Sequence, residues 1–255
     1  MERIICEQIY SFLEKSDLLD LRQATYRRSR STQTCLVDLL DDIRHAADQR
    51  RVTICVLFDF SKAFNRVQHK ILIDKLKGLH LSYSVLTWVA SYLTGRTQVI
   101  RDSGSGSVSN LNITASVPQG SVLGLFSLYL SDFGSTQHCR YNFYADDLII
   151  YLDCEPCRLM EAISGINEDI TSIVYWATAN QLVLNEAKTQ TIIVGIIRYV
   201  NSIDLETLPS IMVGETPVQF AKDKPWNCYI QQFVMGYSGW WRDKEDQSDT
   251  VPADT

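Results

Sequence analysis

No apolar run in this sequence approaches the ~20 residues that a membrane-spanning helix needs. The opening residues, "MERIICEQIYSFLEKSDLLD", carry acids within and after their apolar positions. They read as an amphipathic helix and not as a secretory leader, so no membrane partner is expected. Internal repeats and low-complexity blocks are missing as well. The seven cysteines are an odd number and read as scattered, with neither a Cys-x-x-Cys pair nor a Cys/His cluster expected. That argues against a disulfide framework or a zinc site and fits a reducing, intracellular compartment. Also lacking is the positive charge of an autonomous nucleic-acid binder, because the formal net charge is −6. The deficit is uneven. From Ser202 onward nine acids face four bases, so the tail carries −5 and the first 201 residues carry −1. Bases cluster in "RQATYRRSRST", which holds Arg22, Arg27, Arg28 and Arg30.

What is present is globular: 255 residues, 45% hydrophobic and 21% charged, enough for one large domain or two small ones. A first helix is expected over about Glu2 to Glu14, then the basic loop. Ser31 or Thr32 can cap a second helix, in which Leu36, Leu39 or Leu40, Ile43 and Ala47 recur at helical spacing. "RVTICVLFDF" is β-branched and aromatic, a buried strand. "HKILIDKLKGLH" and "SVLTWVASYLTGR" read as a helical pair, and "TQVIRDSGSGSVSNLNIT" as two strands around a Ser/Gly turn. "SVPQGSVLG" is a loop before a helix, "LFSLYLSDF". A hairpin, a long helix over "EPCRLMEAISGINEDITSIVYWATANQ", and strands in "LVLNEAKTQTIIVG" and "SIMVGETPVQF" complete the pattern. Helices packed on a small central sheet make an α+β fold.

The hairpin, "YNFYADDLIIYLD" from Tyr141 to Asp153, sets two adjacent acids, Asp146 and Asp147, in an apolar and aromatic run. Burying a carboxylate costs several kcal/mol, roughly, unless it is paired or bound to metal. Asp59 has the same peculiarity, since it ends the apolar run "TICVLF". Three carboxylates converging at one sheet edge would make an oxygen-rich site for hard divalent cations. Two such ions are a standard device for in-line phosphoryl transfer. The plain alternative is a polar hairpin tip beside an unrelated turn.

Four segments in order, "FDFSKAFNRV", "SVPQGSVLG", "YADD" and "LNEAKT", resemble palm motifs A to D of reverse transcriptases, nearest to jockey-type non-LTR retrotransposons. "RSTQTCLVDLLDDIRHAADQR", "SYLTGRTQ" and "FSLYLSD" extend the likeness, which covers roughly residues 1 to 221. A nucleotide cyclase shares the carboxylate logic but lacks the "VPQG" and the phenylalanine after motif A. The resemblance implies a right-hand polymerase palm, an antiparallel sheet with packed helices. It divides the chain into partial fingers over 1–51, palm over 52–221 and an aberrant tail over 222–255, with no thumb. It implies RNA-directed DNA polymerisation with Mg²⁺ or Mn²⁺, an RNA template, a DNA primer and deoxynucleoside triphosphates. Asp59, Asp146 and Asp147 match the metal-binding acids, and Phe60 would offer its backbone carbonyl to the metal. Phe64 matches the steric gate that crowds a ribose 2′-OH. Gln119 and Gly120 match the motif B loop of the base-pair pocket, and Lys188 the motif D general acid. Arg27 and Arg30 would meet phosphates of template or nucleotide.

Departures from the family's pattern are concentrated around these motifs. The chain begins inside the fingers, and Thr25 and Ser29 replace glycines of the basic loop. Asn65 stands where the family has an aspartate, and "VLGLFSLY" is two residues shorter than the family's "VLGPLLFSLY". Two residues on a helix are ~200° of rotation. Either the loop near Gly124 absorbs this or the helix turns its apolar face outward; the loop is expected to absorb some of it, with distortion near Gln119. The peptide "KPWNCYIQQFVMG" can be encoded so that reading one base later yields "NLGIVIFNNLSW", which looks like the family's primer-grip segment. The tail is therefore read as a frameshift near Asp223 and as disordered. An alternative to an active polymerase is a decayed retroelement relic with no activity or weak RNA binding.

Overall fold

The computed structural model describes residues 2–20, 22–23, 31–101, 108–113, 115–118 and 124–221. In chain order the elements are α1 (Glu2–Lys15), α2 (Thr32–Asp48), β1 (Val52–Phe58), α3 (Ala63–Arg66), α4 (His69–Gly78) and α5 (Tyr83–Leu93). A hairpin follows, β2 (Thr97–Arg101) and β3 (Val108–Asn112), then α6 (Leu125–Tyr129), β4 (Arg140–Tyr144) and β5 (Asp147–Cys154). The chain continues through α7 (Leu159–Ala179), β6 (Gln190–Gly195), α8 (Ile197–Val200) and the small hairpin β7 (Ile211–Val213) and β8 (Thr216–Val218).

The central sheet has the order β4-β5-β1-β6, and every pairing is antiparallel. β1 lies in the middle because it is apolar on both faces. Val52, Ile54, Val56 and Phe58 face the main core with Leu148 and Ile150 of β5 and Ile163, Ile166, Ile170 and Ile173 of α7. Cys55 faces the other way, against Leu39 and Ile43 of α2, Ile149 and Tyr151 of β5 and Ile192 of β6. Side chains alternate faces along a strand, so a strand covered on both sides reads as a continuous apolar run. Full burial of each such side chain is worth roughly 1.5–3 kcal/mol. α2 starts as its sequence predicts: Ser31 accepts from Thr34 N–H at 3.2 Å while Thr34 Oγ1 accepts from Ser31 N–H at 2.8 Å, a reciprocal cap. The Tyr151 hydroxyl then ties α2 to the sheet by donating to Asp42 at 2.6 Å.

Both edges of the sheet are met by distant chain. Gln23 bridges Phe143 of β4, whose N–H donates to the Arg22 carbonyl at 3.0 Å. Phe220 bridges Thr191 of β6, whose carbonyl accepts from Ala221 N–H at 2.9 Å.

Several local expectations are corrected. The strand expected over "LVLNEAKTQTIIVG" begins only at Gln190, because Glu186–Lys188 turns as a short 3-10 helix. The helix expected over "LFSLYLSDF" stops after five residues, at Tyr129, while its burial on every side agrees with the expectation that its apolar face is not turned outward. Gly124 sits at φ 56°, a left-handed entry that glycine takes without steric cost. The short α3 and α8 were not expected from periodicity. Cys154 and Cys157 form a Cys-x-x-Cys spacing, yet all six described cysteines are free thiols. Residues 222–255, including the frameshift reading, lie outside the described residues.

One buried charge holds the start of the hairpin. Asp169 of α7 is 1% exposed and accepts from the backbone N–H of Cys139 at 2.5 Å and of His138 at 3.0 Å, and meets the His138 ring at 3.0 Å. Burial pushes its carboxyl up, but the hydrogen bonds from Cys139 and His138 outweigh this and hold it below the usual carboxylate range. A lowered folded pKa adds stability above the unfolded pKa and loses it as the pH falls through the folded one. Asp169→Ala should cost about 2–4 kcal/mol at pH 7 by denaturant titration. Its deficit should shrink as the pH drops below ~4; a deficit that persists unchanged at pH 3 would contradict this role.

Candidate active site at the open end of the sheet

With both faces covered, solvent reaches the central strands at their ends. Asp59 is the first residue after β1 and is half-buried. In the β1–β5 pairing Phe58 faces Leu148, so Asp59 comes one step further, beside Asp147 at the start of β5. Tyr144 pairs with Asp147, which leaves Ala145 and Asp146 as a two-residue turn. Ala145 has φ 50°, a left-handed conformation that costs an alanine roughly 1 kcal/mol. The acids thus sit at the turn, as the sequence suggests, with Asp146 at its tip and Asp147 already in the ladder.

The segment that follows α7 closes onto this end. Ser61 N–H donates to the Val183 carbonyl at 2.8 Å, and Asn185 N–H to the Asp59 carbonyl at 2.8 Å. Between these bonds Phe60 bridges Leu184 as a non-hydrogen-bonded antiparallel pair. The N–H and C=O of Phe60 therefore face away from that segment, toward the β5 side, while its ring is buried in the main core. The Asn185 side chain donates to Asp59 Oδ2 at 3.1 Å, and Lys188 Nζ lies 3.2 Å from the same oxygen. Lys188 is 67% exposed, so this ion pair is worth only about 0–1 kcal/mol.

The electrostatics are those of a site short of positive charge. Burial pushes the Asp146 carboxyl above its usual range and the charge of Asp59 pushes it further, while its own backbone N–H and Lys188 oppose the rise. Among the described residues, no three His, Cys, Asp or Glu side chains gather closely enough to hold a metal ion. The three expected carboxylates thus share one end of the sheet without closing into a cluster of metal-ligand spacing, and the charge of Asp59 is felt at Asp146. The donor set still fits a hard divalent cation. Mg²⁺ is commonly held by one or two carboxylates with water and substrate phosphates.

Phe64, on α3, is half-buried and packs on Phe126 of α6, ring centroids 4.5 Å apart. Its carbonyl accepts from Val117 N–H at 3.0 Å, and the Ser116 carbonyl meets the His69 ring at 2.8 Å. The run leading into "PQG" is thereby held against α3 and α4. Gln119 and Gly120, like Arg27 and Arg30, lie outside the described residues. Two contributors escaped the sequence reading. Asn185 stood in the quoted "LNEAKT" without a role, and Phe126 carries no polar signal that could mark it.

The reverse transcriptase (RNA-dependent DNA polymerase) family model matches residues 1–227. The chain is 30% identical over 200 residues to the probable RNA-directed DNA polymerase from transposon BS of Drosophila melanogaster, covering 74% of this chain and 21% of that protein. It is 28% identical over 226 residues to the corresponding X-element protein, covering 85% and 24%. To the polymerase from mobile element jockey of the same fly it is 27% identical over 198 residues, covering 74% and 21%. The chain thus spans about a fifth to a quarter of the length of these relatives. Among solved structures, apo telomerase from Candida tropicalis truncated from its C-terminal domain superposes with TM-score 0.57 at 16% identity, covering 76% of this chain and 40% of that one. Telomerase of the same yeast with the TWJ fragment of telomeric RNA gives 0.53 at 15% identity, covering 93% and 41%. At such identities the likeness concerns the fold, and it agrees with mixed helices on an antiparallel palm sheet.

A site short of positive charge weakens the fold that carries it. In EDTA, Asp146→Asn should raise the melting temperature at pH 7. A raised folded pKa means that stability is full below the unfolded pKa and lost as the pH rises through the folded one. The gain should therefore fade toward pH ~4, and a variant less stable than wild type at pH 7 would contradict the electrostatic reading.

Proposed function

This chain belongs to the reverse transcriptase (RNA-dependent DNA polymerase) family, and from that premise we propose that it is the palm, with part of the fingers, of a jockey-type transposon polymerase. Its reaction is the transfer of a deoxynucleotide onto a primer 3′-OH, templated by RNA. The observation that carries this reading is the placement of Asp59, Asp146 and Asp147 at one end of an antiparallel sheet, where Asp59 directly follows β1 and the two others lie at the β4–β5 turn. Asp59, Asp146 and the Phe60 carbonyl would hold divalent cations, with Asp147 beside them. When bound, such ions supply the positive charge that acidifies an attacking hydroxyl and offsets a departing pyrophosphate.

The remaining roles belong to the chain itself. Phe64 would crowd a ribose 2′-OH, its ring backed by Phe126 so that it cannot easily retreat. Lys188, on an exposed turn 3.2 Å from Asp59, is within reach of a leaving group bound at the carboxylates and is the candidate general acid. Gln119 and Gly120 are proposed to line the base-pair pocket, and Arg27 and Arg30 to meet phosphates. The division into fingers over 1–51 and palm over 52–221 follows the same proposal. No described helix is long and apolar enough to cross a membrane.

Extension of a DNA primer on an RNA template, with Mg²⁺ or Mn²⁺, is the direct assay. Wild type should extend, and Asp146→Ala should reduce the rate at least ~10²-fold, as loss of a group that stabilises transition-state charge does. Extension by wild type no faster than by that variant would reject activity for this chain. Phe64→Val should raise incorporation of ribonucleotides relative to deoxynucleotides by about 10–200-fold, the range that small steric differences command. An unchanged ratio in an active enzyme would remove Phe64 from the gate role.

A further inference from the structure

Asn185 touches Asp59 twice, through its backbone N–H on the Asp59 carbonyl at 2.8 Å and through its side-chain amide on Oδ2 at 3.1 Å. One residue thus fixes both the backbone and the carboxylate of the first residue beyond β1. The contact is itself braced. The Asn185 carbonyl accepts from Lys188 N–H at 3.1 Å, Thr189 N–H at 3.0 Å and Thr189 Oγ1 at 3.0 Å, closing the short turn behind it. Lys188 reaches the same Oδ2 from that turn, but by a different chemistry. An ammonium competes with any cation that the carboxylate is to bind. A neutral amide does not, and it can remain in place whether or not a cation is present. With Oδ2 held, Oδ1 of Asp59 is left for a further ligand.

We propose that Asn185 is a positioning residue for Asp59. It fixes the orientation in which the carboxylate meets a divalent cation, while Lys188 occupies the carboxylate only until the cation arrives. This rests on the reading of Asp59 as a cation ligand. Hydrogen-bonding partners of metal-ligating groups typically set affinity by about 10–100-fold.

The test uses the full chain and Mn²⁺ alone, with free Mn²⁺ followed by electron paramagnetic resonance. Asn185→Ala should weaken Mn²⁺ binding about 10-fold, Asn185→Ser, which keeps a short donor, should recover most of the loss, and Lys188→Met should tighten binding. A merely structural asparagine would lower the melting temperature of Asn185→Ala and leave its Mn²⁺ affinity unchanged, which overturns the proposal. A second measurement is made in EDTA: the double-mutant cycle of Asp59→Ala and Asn185→Ala on the unfolding equilibrium. Coupling of roughly threefold or more in the equilibrium constant is expected, and additivity overturns the proposal. If wild type binds no Mn²⁺, Asp59 fails as a ligand and the positioning role toward a cation falls with it. The cycle then still reports whether the Asn185–Asp59 contact exists, which separates the two failures.

Discussion

The burial of β1 on both faces is the constraint from which the rest of the molecule follows. Apolar rows on either side of this strand are covered, one by α2 and the other by α7 and the main core. A charge cannot be accommodated along such a strand without losing several kcal/mol, roughly. It can be accommodated where the strand ends, one residue past Phe58, and Asp59 is there. The same argument puts Asp146 in the turn between β4 and β5 instead of inside either strand. The position of the chemistry is thus a consequence of how the core is covered.

Having gathered like charges, the fold must hold them. It does so with backbone more than with opposite charge. Two hydrogen bonds of 2.8 Å flank the Phe60–Leu184 bridge and bring the 183–189 segment against the end of β1. Lys188 contributes a positive charge, but an exposed one, whose attraction is screened by solvent. The arrangement is stable enough to keep the carboxylates near one another and weak enough in charge to leave them open to a cation. The left-handed alanine at the turn is part of the same compromise, since local strain is commonly kept where function requires a fixed geometry.

The sequence made the strongly patterned parts legible. The cap at Ser31, the continuous apolar run of β1 and the long period of α7 are local signals, and each appears near its expected bounds. The hairpin was legible for the opposite reason, because Asp146 and Asp147 interrupt a pattern and so point to themselves. Misreadings fall where tertiary contact overrides local preference. "LNEAKT" has no helical period and borders a true strand, so it reads as extended. The backbone instead turns at Glu186–Lys188, with Asn185 as the fixed point. The residue looked like part of a strand, and its bond to Asp59, 126 positions away in the chain, leaves no trace in spacing. Phe126 was equally silent, since a phenylalanine that backs another phenylalanine is indistinguishable from any core residue.

The two edges of the sheet bear on what happens when chain is lost. β4 and β6 are short, and each has an outer hydrogen-bonding group occupied by a residue of a crossing segment, the Arg22 carbonyl on one side and the Ala221 N–H on the other. Exposed strand edges invite pairing with other copies. These two residues lie near opposite ends of the described chain, nearly 200 positions apart. Trimming the chain before Phe220 would uncover the β6 edge without touching the carboxylates, whereas trimming through Arg22 would also remove Ile9, Tyr10 and Leu13 from the core. On the β6 side the resulting failure would be self-association of an otherwise intact sheet, and it would look like poor solubility and not like a damaged catalyst.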